Sequence, residues 1–118
     1  MDTEKLLTLA KNALEDKQAA DIQTLNVREF SSITDFMVIA TGKTARQANA
    51  LAQHVIEQAK ASGYRPLGEE GRDTGEWVLI DLGDVIVHIM QPQTREFYQL
   101  EKLWSEMGGD DRIKKLRG

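Results

Sequence analysis

The fold is decided by the sequence EWVLIDLGDVIVHIMQPQTREFYQLEKLW, which spans Glu76–Trp104. Within it, two runs of β-branched and large apolar residues, Trp77–Leu82 and Val85–Met90, are separated by Gly83-Asp84. A Gly-Asp pair between two such runs is typical of a β-hairpin with a tight two-residue turn. Apolar residues then recur at helical spacing, so the stretch predicts a hairpin that leads directly into a helix.

The two faces of this predicted hairpin differ in chemistry. One face is wholly aliphatic and is expected in the core; it pairs Leu82 with Val85, Ile80 with Val87 and Val78 with Ile89. The other face is mixed; it pairs Trp77 with Met90, Leu79 with His88 and Asp81 with Ile86. A mixed face is either covered, as is common in α/β sheets, or presented to a partner, because Trp and Met are enriched at interfaces. The sequence leaves both alternatives open.

The helix after the hairpin is predicted to have an inner and an outer side. Pro92 is tolerated in a first helical turn, and Thr94 is the predicted cap. A stripe is predicted to pack inward: Phe97, Leu100, Leu103 or Trp104, and Met107. Tyr98 falls on the opposite side and is predicted to be at least partly exposed. The sequence therefore predicts a small docking patch of aromatic and apolar anchors: Trp77, Leu79, Met90, Pro92 and Tyr98.

Composition limits the classes of function. The chain has 118 residues, of which 41% are hydrophobic and 29% charged, and this balance suits one globular domain. A net charge of −4 and a pI of about 5.2 argue against nucleic-acid binding, generic or sequence-specific, because such binding needs a basic face. They are compatible with docking onto a basic protein. The absence of cysteine excludes disulfides, Cys-based zinc sites and thiol catalysis. No membrane span or signal peptide is predicted, so a cytoplasmic protein is expected.

The rest of the chain completes an α/β pattern. The predicted elements are a helix at 3–17, strands at Ile22–Val27 and Phe36–Ala40, a helix from a Thr44–Gln47 capping box to Gly63, a short strand at Tyr64–Leu67 and a polar loop at Gly68–Gly75. The continuous apolar run FMVIA is typical of a central strand buried on both faces. The pattern predicts one domain over residues 1–107, with a mixed β-sheet, flanking helices and a crossover around 36–67. Gly108-Gly109 is predicted to end the last helix, and residues 108–118 are predicted to form a mobile tail.

No motif predicts catalysis. Gly42-Lys43 is followed by threonine as in a P-loop, but the glycine required five positions earlier is Met37, so a turn and a helix cap are favoured. Asp81 and Asp84 could hold Mg²⁺, although a solvated turn acid is the simpler interpretation of Asp84. The two histidines, His54 and His88, are interpreted as structural. A polar site at the edge of the central strand is a further alternative; it comprises Asp35, Thr41, Arg46 and Gln47.

Two segments resemble the signatures of the Iojap family, the ribosomal silencing factors. The first is SSITDFMVIATG at Ser31–Gly42, followed by Arg46-Gln47. The second comprises Glu70-Gly71, Trp77–Leu79, Asp81, Val85–Met90, Arg95, Tyr98, Leu100-Glu101 and Leu103-Trp104. The resemblance covers roughly residues 3–107. The family commonly has an aspartate before Val27, where this chain has Asn26.

The resemblance implies a fold and a function. It implies an α/β fold with a mixed sheet similar to that of nucleotidyltransferases, but this chain lacks their Gly-Ser and Asp-x-Asp catalytic arrangement. It also implies binding to the large ribosomal subunit through large-subunit protein fourteen. The bound factor is then expected to block small-subunit joining and to repress translation when nutrients are short. Family members are further implied to form homodimers, and organelle relatives to act in ribosome assembly.

The resemblance and the predicted patch together give a set of candidate binding residues. Those expected to face the ribosomal protein are Trp77, Leu79, His88, Met90, Pro92 and Tyr98, with Asp81 and Glu101 as acidic partners for its basic side chains. We expect a non-enzymatic protein with no cofactor, metal or membrane association. The alternatives are a large-subunit assembly factor and, less favoured, a metal-dependent nucleotidyltransferase. A homodimer that used the same surface would compete with ribosome binding.

Overall fold

The helices and strands follow one another in the order that the sequence predicts. The computed structural model describes residues 3–29 and 31–99. In chain order the elements are α1 (Thr3–Asp16), β1 (Ala20–Asn26), β2 (Phe36–Thr41), α2 (Ala45–Ala61), β3 (Gly68–Glu70), β4 (Trp77–Asp81), β5 (Val85–Met90) and α3 (Pro92–Tyr98). The predicted α/β class, with a mixed sheet and flanking helices, is confirmed.

A single five-stranded sheet, in the order β1-β2-β5-β4-β3, connects these elements. The central strands β2 and β5 are parallel, and the other pairs are antiparallel. Every residue of β5 is buried, and so are residues 37–41 of β2. The prediction that FMVIA forms a central strand is therefore confirmed, and its lack of alternation follows from burial on both faces.

The hairpin of β4 and β5 has the predicted register, from Trp77 opposite Met90 to Asp81 opposite Ile86. Its turn is tight, because the Leu82 amide donates to the Val85 carbonyl at 2.9 Å. Gly83 has a φ of +92°, which glycine adopts without the steric cost that a Cβ brings. A positive φ at this first turn position is the requirement of a type II′ turn, whose twist matches that of the strands.

The aliphatic face of the hairpin packs against α1 and α2. It contributes the six predicted core residues: Val78, Ile80, Leu82, Val85, Val87 and Ile89. From the helices come Leu6, Ala10, Ala13 and Leu14 of α1 and the six predicted residues of α2: Ala48, Leu51, Ala52, Val55, Ile56 and Ala59. Each fully buried aliphatic side chain contributes about 1.5–3 kcal/mol relative to an exposed one, so this layer is the main source of stability.

The start of α2 explains the Gly42-Lys43 pair without a phosphate site. A Cβ on Gly42 would lie 2.9 Å from the Ala48 Cα, so glycine is needed for the close approach of this turn to the helix. The Thr44 hydroxyl accepts a hydrogen bond from the Gln47 amide at 3.0 Å, as the predicted capping box requires. The Gln47 side chain instead accepts from the Lys43 amide, at 2.7 Å, one residue before the cap. Gly63 follows the helix with a φ of +87°, as expected of a residue just past a helix end.

One predicted strand in the middle of the chain is in the wrong place. Residues 64–67 do not form a strand; β3 lies at Gly68–Glu70, inside the stretch predicted to be a loop. Pro66 has no amide hydrogen to donate, and the contacts with β4 begin only at Leu67, whose amide donates to Asp81 at 2.7 Å. The predicted crossover around 36–67 is present, because α2 connects β2 to β3 and these two strands run parallel, with β5 and β4 between them in the sheet.

The last described helix begins earlier than predicted. Pro92 occupies its first turn and Gln91 its N-cap position, so Thr94 is not the cap. Gln99 closes α3 in the left-handed conformation, with a φ of 45°. The predicted continuation of the apolar stripe to Met107 and the predicted tail at 108–118 lie outside the described residues.

The core assignment predicts the effect of Val87→Asp. Val87 has no exposed area and lies on the aliphatic face, so the substitution buries an unpaired carboxylate. The cost of several kcal/mol is comparable to the whole stability of a typical domain, about 5–15 kcal/mol. We expect loss of the cooperative thermal transition measured by circular dichroism. Thr8→Asp, on the exposed side of α1, is the control and should leave the transition unchanged. A Val87→Asp protein that melts like wild type would contradict the packing described.

Candidate docking surface

A cluster of aromatic rings lies where the hairpin meets α3. The rings of Trp77 and Tyr98 are 4.9 Å apart between centroids, with their planes tilted by 53°. The Phe97 ring meets the Tyr98 ring edge-on, at 5.0 Å and 77°. These geometries are the tilted and edge-to-face contacts that aromatic side chains favour. We call these three rings, together with Pro92 in the first turn of α3, the docking surface. It consists of Trp77, Pro92, Phe97 and Tyr98.

The docking surface is accessible to solvent on its α3 side. Tyr98 is 50% exposed, which confirms the sequence prediction, and Pro92 is exposed as well. Phe97 is 80% exposed, so the prediction that it packs inward is wrong. Spacing shows which residues share a helix face but not which face is covered, and α3 buries none of its residues. Sequence reasoning therefore missed Phe97 as a member of the surface.

The indole of Trp77 is held in place by His88. Its Nε1–H donates a hydrogen bond to the His88 Nδ1 at 2.8 Å, and the ring centroids are 5.8 Å apart. Because Nδ1 accepts, the imidazole is neutral and carries its proton on Nε2. His88 has no exposed area. His88 therefore orients the half-buried Trp77 from the interior of the domain and is not itself accessible to a partner.

The structure changes how several predicted patch residues can contribute. Four of them have no exposed area: Leu79, Asp81, His88 and Met90. Leu79 and Met90 belong to a second apolar cluster on this side of the sheet, which also contains Val27, Met37, Ile39 and Ile86. A side chain without accessible surface makes no direct contact with a docked partner. Leu79, His88 and Met90 therefore support the docking surface from the interior, through the cluster and the hydrogen bond that contact Trp77.

The acidic groups also differ from those predicted. The Asp81 carboxylate is buried and accepts the Gly83 amide at 2.9 Å, so it braces the hairpin turn. Glu101 lies outside the described residues. The exposed acids next to the docking surface in sequence are Glu76, which precedes Trp77, and Glu96, which precedes Phe97. Their adjacency to the aromatic residues was the available signal, and sequence reasoning did not use it.

The residues considered for catalysis are not brought together. Asp84 is exposed and accepts a hydrogen bond from the Thr3 hydroxyl at 3.1 Å, whereas Asp81 braces the turn. His54 lies 3.2 Å from a carboxylate oxygen of Asp16 on the helical layer. Over residues 3–29 and 31–99, no group of three or more His, Asp or Glu side chains is placed to hold a metal ion.

The alternative polar site at the edge of β2 is likewise divided among separate contacts. Asp35 lies 3.6 Å from Arg28 in an exposed ion pair. Thr41 accepts a hydrogen bond from Arg95, and Gln47 caps the start of α2. These side chains therefore do not converge on a common ligand position.

None of the helices that the structure describes is long and apolar enough to cross a membrane.

A five-stranded mixed sheet with α1 and α2 on one face and an exposed aromatic cluster at one end defines a small α/β domain. A family model described as "Ribosomal silencing factor during starvation" matches residues 1–117. The ribosomal silencing factor of Haemophilus influenzae is 46% identical over 100 residues, which are 85% of this chain and 98% of that protein. The chain belongs to the ribosomal silencing factor family, and the resemblance seen in its sequence is confirmed.

The chain is similar to two further proteins over most of its length. The mouse protein named "Mitochondrial assembly of ribosomal large subunit protein 1" is 32% identical over 106 residues, which are 87% of this chain and 46% of that protein. The crystal structure of a Chromobacterium violaceum protein is 40% identical and superposes with a TM-score of 0.88. The superposition covers 93% of this chain and 92% of that one. Sequence and fold therefore agree over almost the whole chain.

The contrast between Trp77 and Phe97 predicts different effects on stability. Trp77→Phe removes the N–H donor to the buried His88 and should lower the free energy of unfolding by about 1–3 kcal/mol. Phe97→Ala removes a ring that is 80% exposed and should change it by less than about 0.5 kcal/mol. Urea denaturation of the two variants measures both values. Equal destabilisation by the two substitutions would contradict the difference described between Trp77, which is tied to the buried His88, and Phe97, which is the most exposed ring of the docking surface.

Proposed function

We propose that the chain docks on the large ribosomal subunit through the docking surface, contacts large-subunit protein fourteen, and blocks joining of the small subunit. It thereby represses translation, above all when nutrients are short. Membership in the ribosomal silencing factor family supports this role, as does the large-subunit relative in mouse. The observation that carries the assignment of the surface is the exposed pair Phe97 and Tyr98, of which Tyr98 packs against the oriented Trp77.

The exposed apolar side chains support a docking function. Among the described residues, the large apolar side chains that are exposed are Leu67, Phe97 and Tyr98, and the last two adjoin one another. Neighbouring exposed aromatics with polar surroundings are typical of protein interfaces, where a few Trp and Tyr anchors contribute most of the affinity. The ring contacts hold Tyr98 and Trp77 in place before binding, so less side-chain entropy is lost on association.

Charge favours a protein partner over ribosomal RNA. The chain has a net charge of −4, and the exposed Glu76 and Glu96 lie next to residues of the docking surface in sequence. RNA phosphates repel an acidic protein, whereas lysine and arginine side chains of a ribosomal protein attract it and speed its association. An acidic factor that approaches a ribosomal subunit is therefore directed toward a basic protein component, and this supports the proposed contact with large-subunit protein fourteen.

The proposed mechanism depends on where the bound protein lies and requires no chemical reaction. A factor that occupies the path of the small subunit acts by excluded volume, so it requires affinity and a fixed orientation but no reacting group, cofactor or metal. Asp81 and Gly42, the residues that a nucleotidyltransferase or P-loop interpretation would use, serve the hairpin turn and the packing of α2 instead. We accordingly propose a non-enzymatic, cytoplasmic protein. A homodimer through the docking surface would compete with this binding.

A large-subunit assembly factor is the second candidate, and the name of the mouse relative is the observation that favours it. Both functions use one docking face, and they differ in the particle that is bound. Co-sedimentation with purified mature large subunits, compared with immature precursors, separates them. Binding to precursors alone would favour assembly, whereas binding to mature subunits with loss of subunit joining would favour silencing.

Tyr98→Ala and Phe97→Ala test the docking surface. We expect each to weaken binding to the large subunit by about 2 kcal/mol or more if its ring is an anchor, which is about 30-fold in dissociation constant. Sucrose-gradient sedimentation of purified subunits with each protein measures binding and joining together. Leu67→Ala is the matched control, because Leu67 is also exposed (64%) but lies beside Gly83, at the opposite end of the hairpin from Trp77.

The gradients distinguish two kinds of failure. If wild type binds and blocks joining while the Tyr98 and Phe97 variants do so equally well, the surface is wrong but the function stands. If wild type neither co-migrates with the large subunit nor prevents joining, the proposed function is wrong for this chain.

A further inference from the structure

Helix α3 carries two rings of the docking surface but buries none of its own residues. It is 7 residues long. A helix of this length is not stable by itself, because the cost of its first turn is not recovered over so few residues. Its orientation on the domain therefore depends on contacts made by particular side chains.

Arg95 donates hydrogen bonds that join α3 to two strands of the sheet. Its Nη1 donates to the backbone carbonyl of Asp21 at 2.6 Å and to the Thr41 hydroxyl at 2.8 Å. The first acceptor belongs to β1 and the second to the end of β2, so one guanidinium links three elements. Hydrogen bonds from a charged donor are about twice as strong as neutral ones, and Thr41 is only 5% exposed, which shields its bond from water.

The Asp21 carbonyl, one of the two acceptors, lies in an irregular part of β1. The pairing of β1 with β2 shifts register between Ala20 and Gln23, and Asp21 has a φ of 47° within the irregular stretch. A bulge of this kind takes residues out of the regular ladder and bends the strand locally. The Asp21 carbonyl, lying in the bulge, is the group that Arg95 contacts. The positive φ, which Asp tolerates better than most residues, therefore coincides with a specific contact to α3.

Within residues 31–99, α3 is also held at its beginning and on the aromatic side. The Gln91 amide donates to the Glu76 carbonyl at 3.0 Å, and the Gln91 side chain donates to the Gly75 carbonyl at 2.9 Å. These bonds fix the point where the helix starts. Beyond its first turn, the direction of the helix is set by Arg95 on β1 and β2 and by the Tyr98 ring on Trp77.

The geometry points to Arg95 as a positioning residue for the docking surface: by its bonds to Asp21 and Thr41 it holds α3 so that Phe97 and Tyr98 are presented beside Trp77. The effect of Arg95 on binding rests on the proposed function, whereas its effect on the orientation of α3 does not. If loss of these bonds lets α3 adopt other orientations, only a fraction of molecules is competent to dock. The apparent dissociation constant rises by the inverse of that fraction, so a competent fraction of about one in ten gives about a tenfold loss.

Arg95→Ala and Thr41→Val test this inference as a pair. Arg95→Ala removes the donor, whereas Thr41→Val removes one acceptor and leaves the arginine in place. Thr41 is nearly buried, so its substitution cannot remove a direct contact with the partner. We expect both variants to fold and to bind the large subunit more weakly, with a loss of about tenfold for Arg95→Ala and a smaller loss for Thr41→Val. Arg95→Lys should recover part of the affinity of wild type.

A second readout examines the free protein. Nuclear Overhauser effects between the rings of Trp77 and Tyr98 report their contact directly, and the chain has 2 tryptophans, so the indole signals are assigned with a Trp77→Phe variant. The ring contacts should be present in wild type and weakened or lost in Arg95→Ala and Thr41→Val. Thermal unfolding confirms that each variant is folded, so that a local change is separated from global loss of structure.

The outcomes are distinct. Weaker binding together with lost ring contacts in both variants supports the positioning role. Ring contacts that persist in both variants overturn it, and weaker binding of Arg95→Ala alone then indicates a direct contact between Arg95 and the partner. Lost ring contacts with unchanged binding also overturn it. If wild type does not bind the large subunit, the proposed function fails, while the ring contacts still decide whether Arg95 sets the orientation of α3.

Discussion

The structure depends on the register between β4 and β5. Side chains alternate between the two faces of a strand, so a slip of one residue would exchange the aliphatic face for the mixed one. Asp81 and His88 would then be buried against α1 and α2, where no group described there is suited to pair with them. The positive φ of Gly83 permits the two-residue turn that fixes this register. The packing of both helices follows from it, and so does the central place of β5 beside β2.

The same register builds the docking surface. It places Trp77 opposite Met90 at the open end of the hairpin, and α3 begins two residues after Met90. An indole at this position needs an acceptor for its N–H, and His88, which faces the neighbouring Leu79 across the hairpin, supplies one. The Trp77 ring then offers a support on which Tyr98 stacks. An aromatic surface at the end of the sheet is thus a direct consequence of how the hairpin pairs.

Most of the fold could be predicted because its elements carry strong periodic signals. The α2 stripe and the hairpin register agree with the structure residue by residue, since each is set by a repeating apolar pattern. The strand β3 could not be predicted, because Gly-Glu-Glu at a sheet edge is held by backbone bonds and has no apolar pattern. For the site, periodicity identified Trp77 and Tyr98 but not the burial of Leu79 or the exposure of Phe97. The bond of Arg95 to Asp21 joins residues 74 apart in sequence, which no local pattern indicates.

A factor that acts by occupying space has unusual physical requirements. Its affinity must come from a small surface, and its orientation must be fixed, because a loosely attached domain would leave the path of the small subunit open. Stacked rings on an oriented indole meet the first requirement with little loss of side-chain entropy. The second requires that α3 be tied to the sheet, and Arg95 ties it to two strands at once. The bulge in β1 departs from regular pairing in an edge strand, and the Asp21 carbonyl that it positions helps to place the rings that we propose as the docking surface.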